Sequence, residues 1–459
     1  MRQFNKRTVL KLALIGLCMA PAPGQADDWP QWLGPERNAI WKETGIIDKF
    51  PAKGPTLRWK SSLGGGYSGP SVANGKVYVM DRWAKPVALE EAKFLHDGPP
   101  PRNINFVRKL LPGTERVVCL EEKDGSVKWV HEWDCDYTTV AAYAIGPRVT
   151  PTVDGDRVYA LGAEGHLVCL DANDGKVKWC RNFKKDYGLK IPEWGTSSHP
   201  LVDGDQLICV VGGLDSTVVS FDKKTGVEKW RALNASQPGY CPPVIHTLGG
   251  KRQLLIWHSD AIVALNPSTG KSYWSVPIKP TYAMSIGQPV VSGNRVFIMS
   301  FNRVSACIDV SDDGNSAKVA WKGTTRRGIA GVHNTALIVD GHIYGCGPGG
   351  KYICARLSDG KQLWNTFAAS GGERPISWGN VFTVKQGDRY FLANDLGELI
   401  IANLRPGGYD EISRAKLIEP THKVSGRMLV WSHPAFANRS VYLRNDNEIR
   451  CYDLAKPRE

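Results

Sequence analysis

The sequence predicts an all-β fold, an eight-bladed β-propeller of four-stranded antiparallel blades, closed by an N-terminal strand in the last blade. Three observations predict it. A tryptophan recurs at blade spacing. Glycine-marked turns cut each repeat into short runs of strand-forming residues. The last repeat stops one strand short of its pattern.

The clearest repeat covers residues 149–179, cut by Asp154-Gly155, Glu164-Gly165 and Asp174-Gly175. Glycine supplies the positive φ that tight hairpins need, so each pair marks a reversal between strands. The second half of the unit ends on a tryptophan and returns along the chain, giving Trp129, Trp179, Trp230, Trp274, Trp321 and Trp364. Their separations of 43 to 51 residues match one blade each. A degraded copy at 402–414 lacks the tryptophan. The first half also recurs, as a turn before a β-branched or aromatic run; its eight copies begin near residues 74, 154, 203, 249, 292, 340, 386 and 438.

The final repeat stops at Leu454, where its outermost strand should begin, and a matching strand stands at Thr56 to Trp59. This predicts that the N-terminal strand completes the last blade, which ties the ring and removes an exposed edge. The expected organisation is a signal peptide over 1–26, a surface segment over 27–55 and a propeller over 56–459. Residues 84–116, rich in proline and charge, read as an insertion loop in the first blade.

Residues 1–26 carry a basic start (Arg2, Lys6, Arg7, Lys11), then the apolar run Leu12 to Ala20, then Gly24-Gln25-Ala26 as a cleavage site. The run is too short to span a bilayer, and no other segment is long and apolar enough to do so. The expected location is periplasmic or secreted. A lipid anchor at Cys18 is the rival reading, but it calls for a small residue where Leu17 stands. Removing the four basic residues lowers the net charge from +13 to +9. Basic residues are scattered, which argues against nucleic acid as a partner. A protein or an anionic envelope polymer is the expected partner, and a monomer the expected state. Cys119, Cys169, Cys307, Cys354 and Cys451 share one repeat position and read as buried thiols. The remaining cysteines leave a bridge open, and no Cys-x-x-Cys spacing suggests zinc or attached haem.

The pattern Leu170-Asp171, Gly175-Lys176, Trp179, repeated with variations, resembles the tryptophan-docking motif of propellers of the pyrroloquinoline-quinone (PQQ) type. That superfamily includes quinoprotein dehydrogenases, the BamB-like subunit of outer-membrane barrel assembly and other exported proteins. The resemblance implies that the six repeat tryptophans are structural, each packed between blades. It does not fix a function.

In such a ring the start of each innermost strand points at the central channel. The repeat register places Tyr67, Arg148, His199, Tyr240, Gln288, His333, Trp378 and His433 there. The set suits a planar or anionic ligand held by stacking, hydrogen bonds and an arginine. Each also has a plain structural reading as channel packing. His199, His333 and His433 come from three separate blades and read as channel histidines, so no metal site is expected.

Two functions from different classes follow. The first is a binding or scaffold propeller of the cell envelope, without catalysis. The alternative is a PQQ-dependent oxidoreductase acting on an alcohol or sugar. By the resemblance, that enzyme would use PQQ with Ca²⁺ and an Asp base. The chain lacks the adjacent cysteine pair of alcohol-oxidising relatives, and no catalytic set stands out. Sites for phosphate loops, zincin histidines and nucleophile elbows are absent from the sequence.

Overall fold

Every repeat alternates strand-forming runs with turns, and each folds into one antiparallel meander. In the second blade the strands are Thr152–Asp154, Arg157–Leu161, His166–Asp171 and Val177–Asn182, running outward from the axis. The turn between the first two holds Gly155 at φ 59°, a conformation that side chains with a Cβ resist. The middle strands are buried on both faces because neighbouring blades cover both, which explains their unbroken apolar runs.

The computed structural model of the chain describes residues 27–85, 91–331 and 333–457. They form eight four-stranded antiparallel blades in a ring. The innermost strands of blades 1 to 8 are Ser71–Ala73, Thr152–Asp154, Leu201–Asp203, Val244–Leu248, Val290–Ser292, Leu337–Val339, Val381–Gln386 and Ala435–Ala437. The expected signal peptide lies outside the described residues.

Closure follows the sequence expectation. Leu57–Ser62 pairs with Glu448–Asp453 as the outer strand of blade 8, with Trp59 opposite Cys451. Trp59 thereby becomes a seventh member of the repeat tryptophans. A β-bulge precedes each of these tryptophans and turns it toward the next blade. The residue opposite is Cys in five blades, Ser220 or Ala264 in the other two. A bulky indole leaves room only for a small partner there. All ten cysteines among the described residues are unbridged.

The indole N–H groups are bonded. Trp59 donates to Glu122 O (2.7 Å), Trp129 to Ala172 O (3.2 Å), Trp179 to Lys223 O (3.1 Å), Trp321 to Leu357 O (2.9 Å) and Trp364 to Arg405 O (2.8 Å), each in the following blade. Trp230 and Trp274 reach only Gln206 and Gln253 of their own blades. Those amides then donate onward to Pro267 O and Gly314 O. In blade 7 Ser413 stands in the tryptophan position, and the Phe50 N–H donates to its Oγ at 3.0 Å.

Two boundaries differ from expectation. Ala84 and residues 113–116 belong to long strands of blade 1, Lys76–Ala84 and Gly113–Glu121, so the insertion spans 85–112; residues 86–90 lie outside the described residues. Residues 27–55 do not simply run along the surface. Trp29 bridges Val72 of blade 1, Pro30 O accepts from Val153 of blade 2, and Ile40–Trp41 pairs in parallel with the innermost strand of blade 7. Trp29, Trp32, Arg37 and Trp41 are buried. Eight inner strands leave a hole at the axis, and an apolar Trp-Pro-Gln-Trp stretch closes one end of it.

Candidate functional site

The loops that enter the innermost strands converge on the axis and enclose a cavity of about 480 Å³. Seven of the eight register residues line it: Tyr67, Arg148, His199, Tyr240, His333, Trp378 and His433. Gln288 does not. It lies below, where its Nε2 donates to Arg37 O at 2.6 Å, because the N-terminal segment occupies the channel at that level.

Trp32 forms the floor. Its ring stacks on His199 (4.2 Å between centroids, 13°) and meets His433 edge-on (4.1 Å, 90°). The segment is locked by Arg37, whose guanidinium donates to Pro200 O (2.8 Å) and His199 O (3.1 Å). Burial lowers the Arg37 pKa to about 9, which still leaves it charged at neutral pH. The Thr150 N–H donates to His199 Nδ1 at 2.9 Å, so the His199 proton sits on Nε2. Burial pushes the His333 and His433 imidazoles down to about 3, and His199 well below its ordinary value. All three are neutral at physiological pH.

One wall is charged. Arg148 donates to Tyr143 O (2.6 Å) and Gly146 O (3.4 Å), and its guanidinium lies 5.0 Å from the Tyr67 ring centroid. It makes no ion pair among the described residues. Among the described residues no Asp or Glu lines the cavity, and Arg148 is the single ionised side chain there. Beside it, Trp431 packs on His333 (4.3 Å). Trp431 Nε1, His333 Nε2 and, on the floor, Trp32 Nε1 have no hydrogen-bond partner among the described residues. Burial without a partner is costly, which marks these atoms as places for a ligand or water. The Tyr67 hydroxyl and His422 Nε2 lie 2.8 Å apart.

The mouth is a collar of rings. Trp194, Phe106, Tyr282, Phe301 and Trp378 follow one another at centroid separations of 6.3, 5.5, 6.4 and 5.7 Å. Phe106 comes from the insertion, which is tied down by Arg108 to Glu193 (3.2 Å) and by the Tyr143 hydroxyl to Asn105 Oδ1 (2.8 Å). A hairpin, His422–Val424 and Arg427–Leu429, adds the remaining edge. Arg427 holds it through two bonds to buried Asp395 (2.7 and 2.6 Å).

Sequence reasoning missed Trp32, Phe106, Tyr282, Phe301 and Trp431. Trp431 stands two residues before His433, and that proximity was the one available signal. The rest lie in segments without a repeat register. Among the described residues no group of three His, Cys, Asp or Glu is arranged to hold a metal.

Solved structures with this architecture bind the ring to two groups of proteins. BamB from Moraxella catarrhalis aligns with 83% of this chain and 99% of its own at a TM-score of 0.50 and 15% identity. A europium-containing methanol dehydrogenase aligns with 92% of this chain and 89% of its own (TM-score 0.57, 13% identity). A quinohemoprotein alcohol dehydrogenase from Comamonas testosteroni covers 94% and 81% (TM-score 0.58, 13% identity). At these identities the likeness shows the fold alone. No curated protein matches the chain. The family model described as outer membrane protein assembly factor BamB matches residues 113–366, more than half of the sequence and five of its eight blades, and by that match the chain belongs to this PQQ-type propeller family.

Proposed function

We propose that the chain is an exported, monomeric binding propeller of the cell envelope that holds an anionic ligand at its axis and performs no redox chemistry. One observation carries this reading. The cavity is walled by aromatic rings and neutral polar groups, and among the described residues its only ionised side chain is Arg148, with no carboxylate in the lining. An uncompensated guanidinium in a largely apolar cavity favours a ligand that brings the negative charge.

The alternative, a PQQ-dependent oxidoreductase, would need a Ca²⁺ site and a base. Ca²⁺ takes six to eight oxygens, commonly with carboxylates among them. Among the described residues the lining offers amides, hydroxyls and a cation, but no carboxylate. These residues therefore do not fit a calcium–quinone centre. No helix among the described residues is long and apolar enough to cross a membrane.

The test is dye reduction by the mature protein, supplied with PQQ and Ca²⁺ and a panel of alcohols and sugars. The expected result is no substrate-dependent turnover. Turnover that is lost on chelation would overturn the reading.

A further inference from the structure

The cavity and its collar are two parts of one surface, and they differ in chemistry. Inside stand the Arg148 cation and three ring nitrogens without partners. Trp32, the most enclosed of these residues, is 7% exposed, lines the cavity floor with its ring and carries a buried Nε1 without a partner among the described residues. Outside stands a row of rings with little charge. Tyr282 is 58% exposed, and its neighbours Phe301 and Trp378 continue the collar around the mouth. The rim backbone is also unusual: Tyr282 and Ala283 (both φ 55°), Asn302 (56°), Arg303 (68°) and Trp378 (59°) all occupy the left-handed region. Residues with a Cβ adopt it at a cost, and such positions concentrate at binding sites.

We infer that the axial site takes the end of an acidic polysaccharide chain, with the terminal sugar inside and its carboxylate on Arg148, and the next sugars lying on the aromatic collar. This rests on the binding reading above. A guanidinium already fixed by two carbonyls presents its remaining N–H groups as a fork, which suits one carboxylate. The unpartnered nitrogens of Trp32, Trp431 and His333 supply hydrogen bonds of the kind that hydroxyl groups use. Ring faces cover the apolar C–H faces of a sugar. A compact ligand would leave the exposed collar unused, whereas a chain engages both. The net charge of +13, or +9 without residues 1–26, complements a polyanion.

The test is calorimetric titration of the mature protein with galacturonate, tetragalacturonate, a neutral galactose tetramer and 1-naphthoate. Tetragalacturonate is expected to bind at least tenfold tighter than galacturonate and than the neutral tetramer. Arg148→Gln should abolish the preference for the acidic over the neutral tetramer, and Arg148→Lys should restore part of it. Tyr282→Ala should weaken the tetramer several-fold and leave the single sugar unchanged, which a fold defect would not do. Naphthoate binding tighter than the tetramer, or equal affinity for one sugar and four, would overturn the polysaccharide inference but leave a binding propeller. Binding of none of the probes would overturn it too. Chelator-sensitive turnover with PQQ would instead remove the reading on which it rests.

Discussion

The outer and axial tryptophans of this ring are the same side chain under opposite conditions. Trp59, Trp129, Trp179 and Trp321 sit in the outer strands, buried, with every indole N–H bonded to a carbonyl of the next blade. Trp32 and Trp431 sit at the axis with indole N–H groups bonded to nothing. The outer set is repeated in seven of the eight blades and meets a small residue across the strand pair. The axial set has no repeat and comes from the N-terminal segment and the loop before blade 8. The bonded indoles of the outer set hold blades together, whereas the rings of Trp32 and Trp431 line the cavity and leave their donors without a partner among the described residues.

That contrast yields ordered expectations. Trp179→Ala removes a buried indole between blades 2 and 3 and should cost about 3–5 kcal/mol, read as a shift in the urea midpoint. An equal loss from Trp431→Ala would erase the distinction. Next comes acid. An imidazole kept neutral in the folded chain binds fewer protons than in the unfolded chain. Stability should therefore fall as pH drops below about 6.5, and keep falling to about 3 for His333 and His433. Each such imidazole adds a slope of about 1.4 kcal/mol per pH unit in that window. His333→Gln should lower the slope by that amount, checked by urea midpoints between pH 4 and 7.

Two glycines sharpen the outer half of the comparison. Gly175 (φ 72°) would place a Cβ 2.6 Å from the Trp129 ring, while Gly155 (φ 59°) would meet nothing within 4 Å. Both alanine variants carry the left-handed penalty of about 1–2 kcal/mol. Gly175→Ala should exceed Gly155→Ala by at least about 1 kcal/mol, because an indole must also move. Equal midpoints would mean that the tryptophan contact contributes little. The smallest effect is expected at Trp431→Phe. It keeps the ring packing and deletes a donor without a partner, so stability should change by no more than about 0.5 kcal/mol.

The parts legible in the sequence are those that the repeat copies. The blades, the closing strand at Leu57–Ser62 and the small residues opposite the tryptophans all follow from one pattern repeated around a ring. The same register finds Tyr67, Arg148 and His433 at the cavity, since each stands at one height on its inner strand. It fails where a segment outside the repeat intrudes. Gln288 was assigned to the mouth by register, but Arg37 from the N-terminal segment meets it first. Trp32 was hidden for the same reason: nothing local in Trp-Pro-Gln-Trp says that it will cross the ring and floor a channel. Tyr282 and Phe301 lie in inter-blade loops, whose course depends on packing between blades and not on strand periodicity.

The most direct measurement is an NMR titration of protein carrying ¹⁵N-labelled indoles with tetragalacturonate. The account predicts that the Trp431 and Trp32 indole N–H signals shift with the ligand, while those of Trp129, Trp179 and Trp321 stay fixed. Shifts spread evenly over both sets, or confined to the outer one, would contradict it.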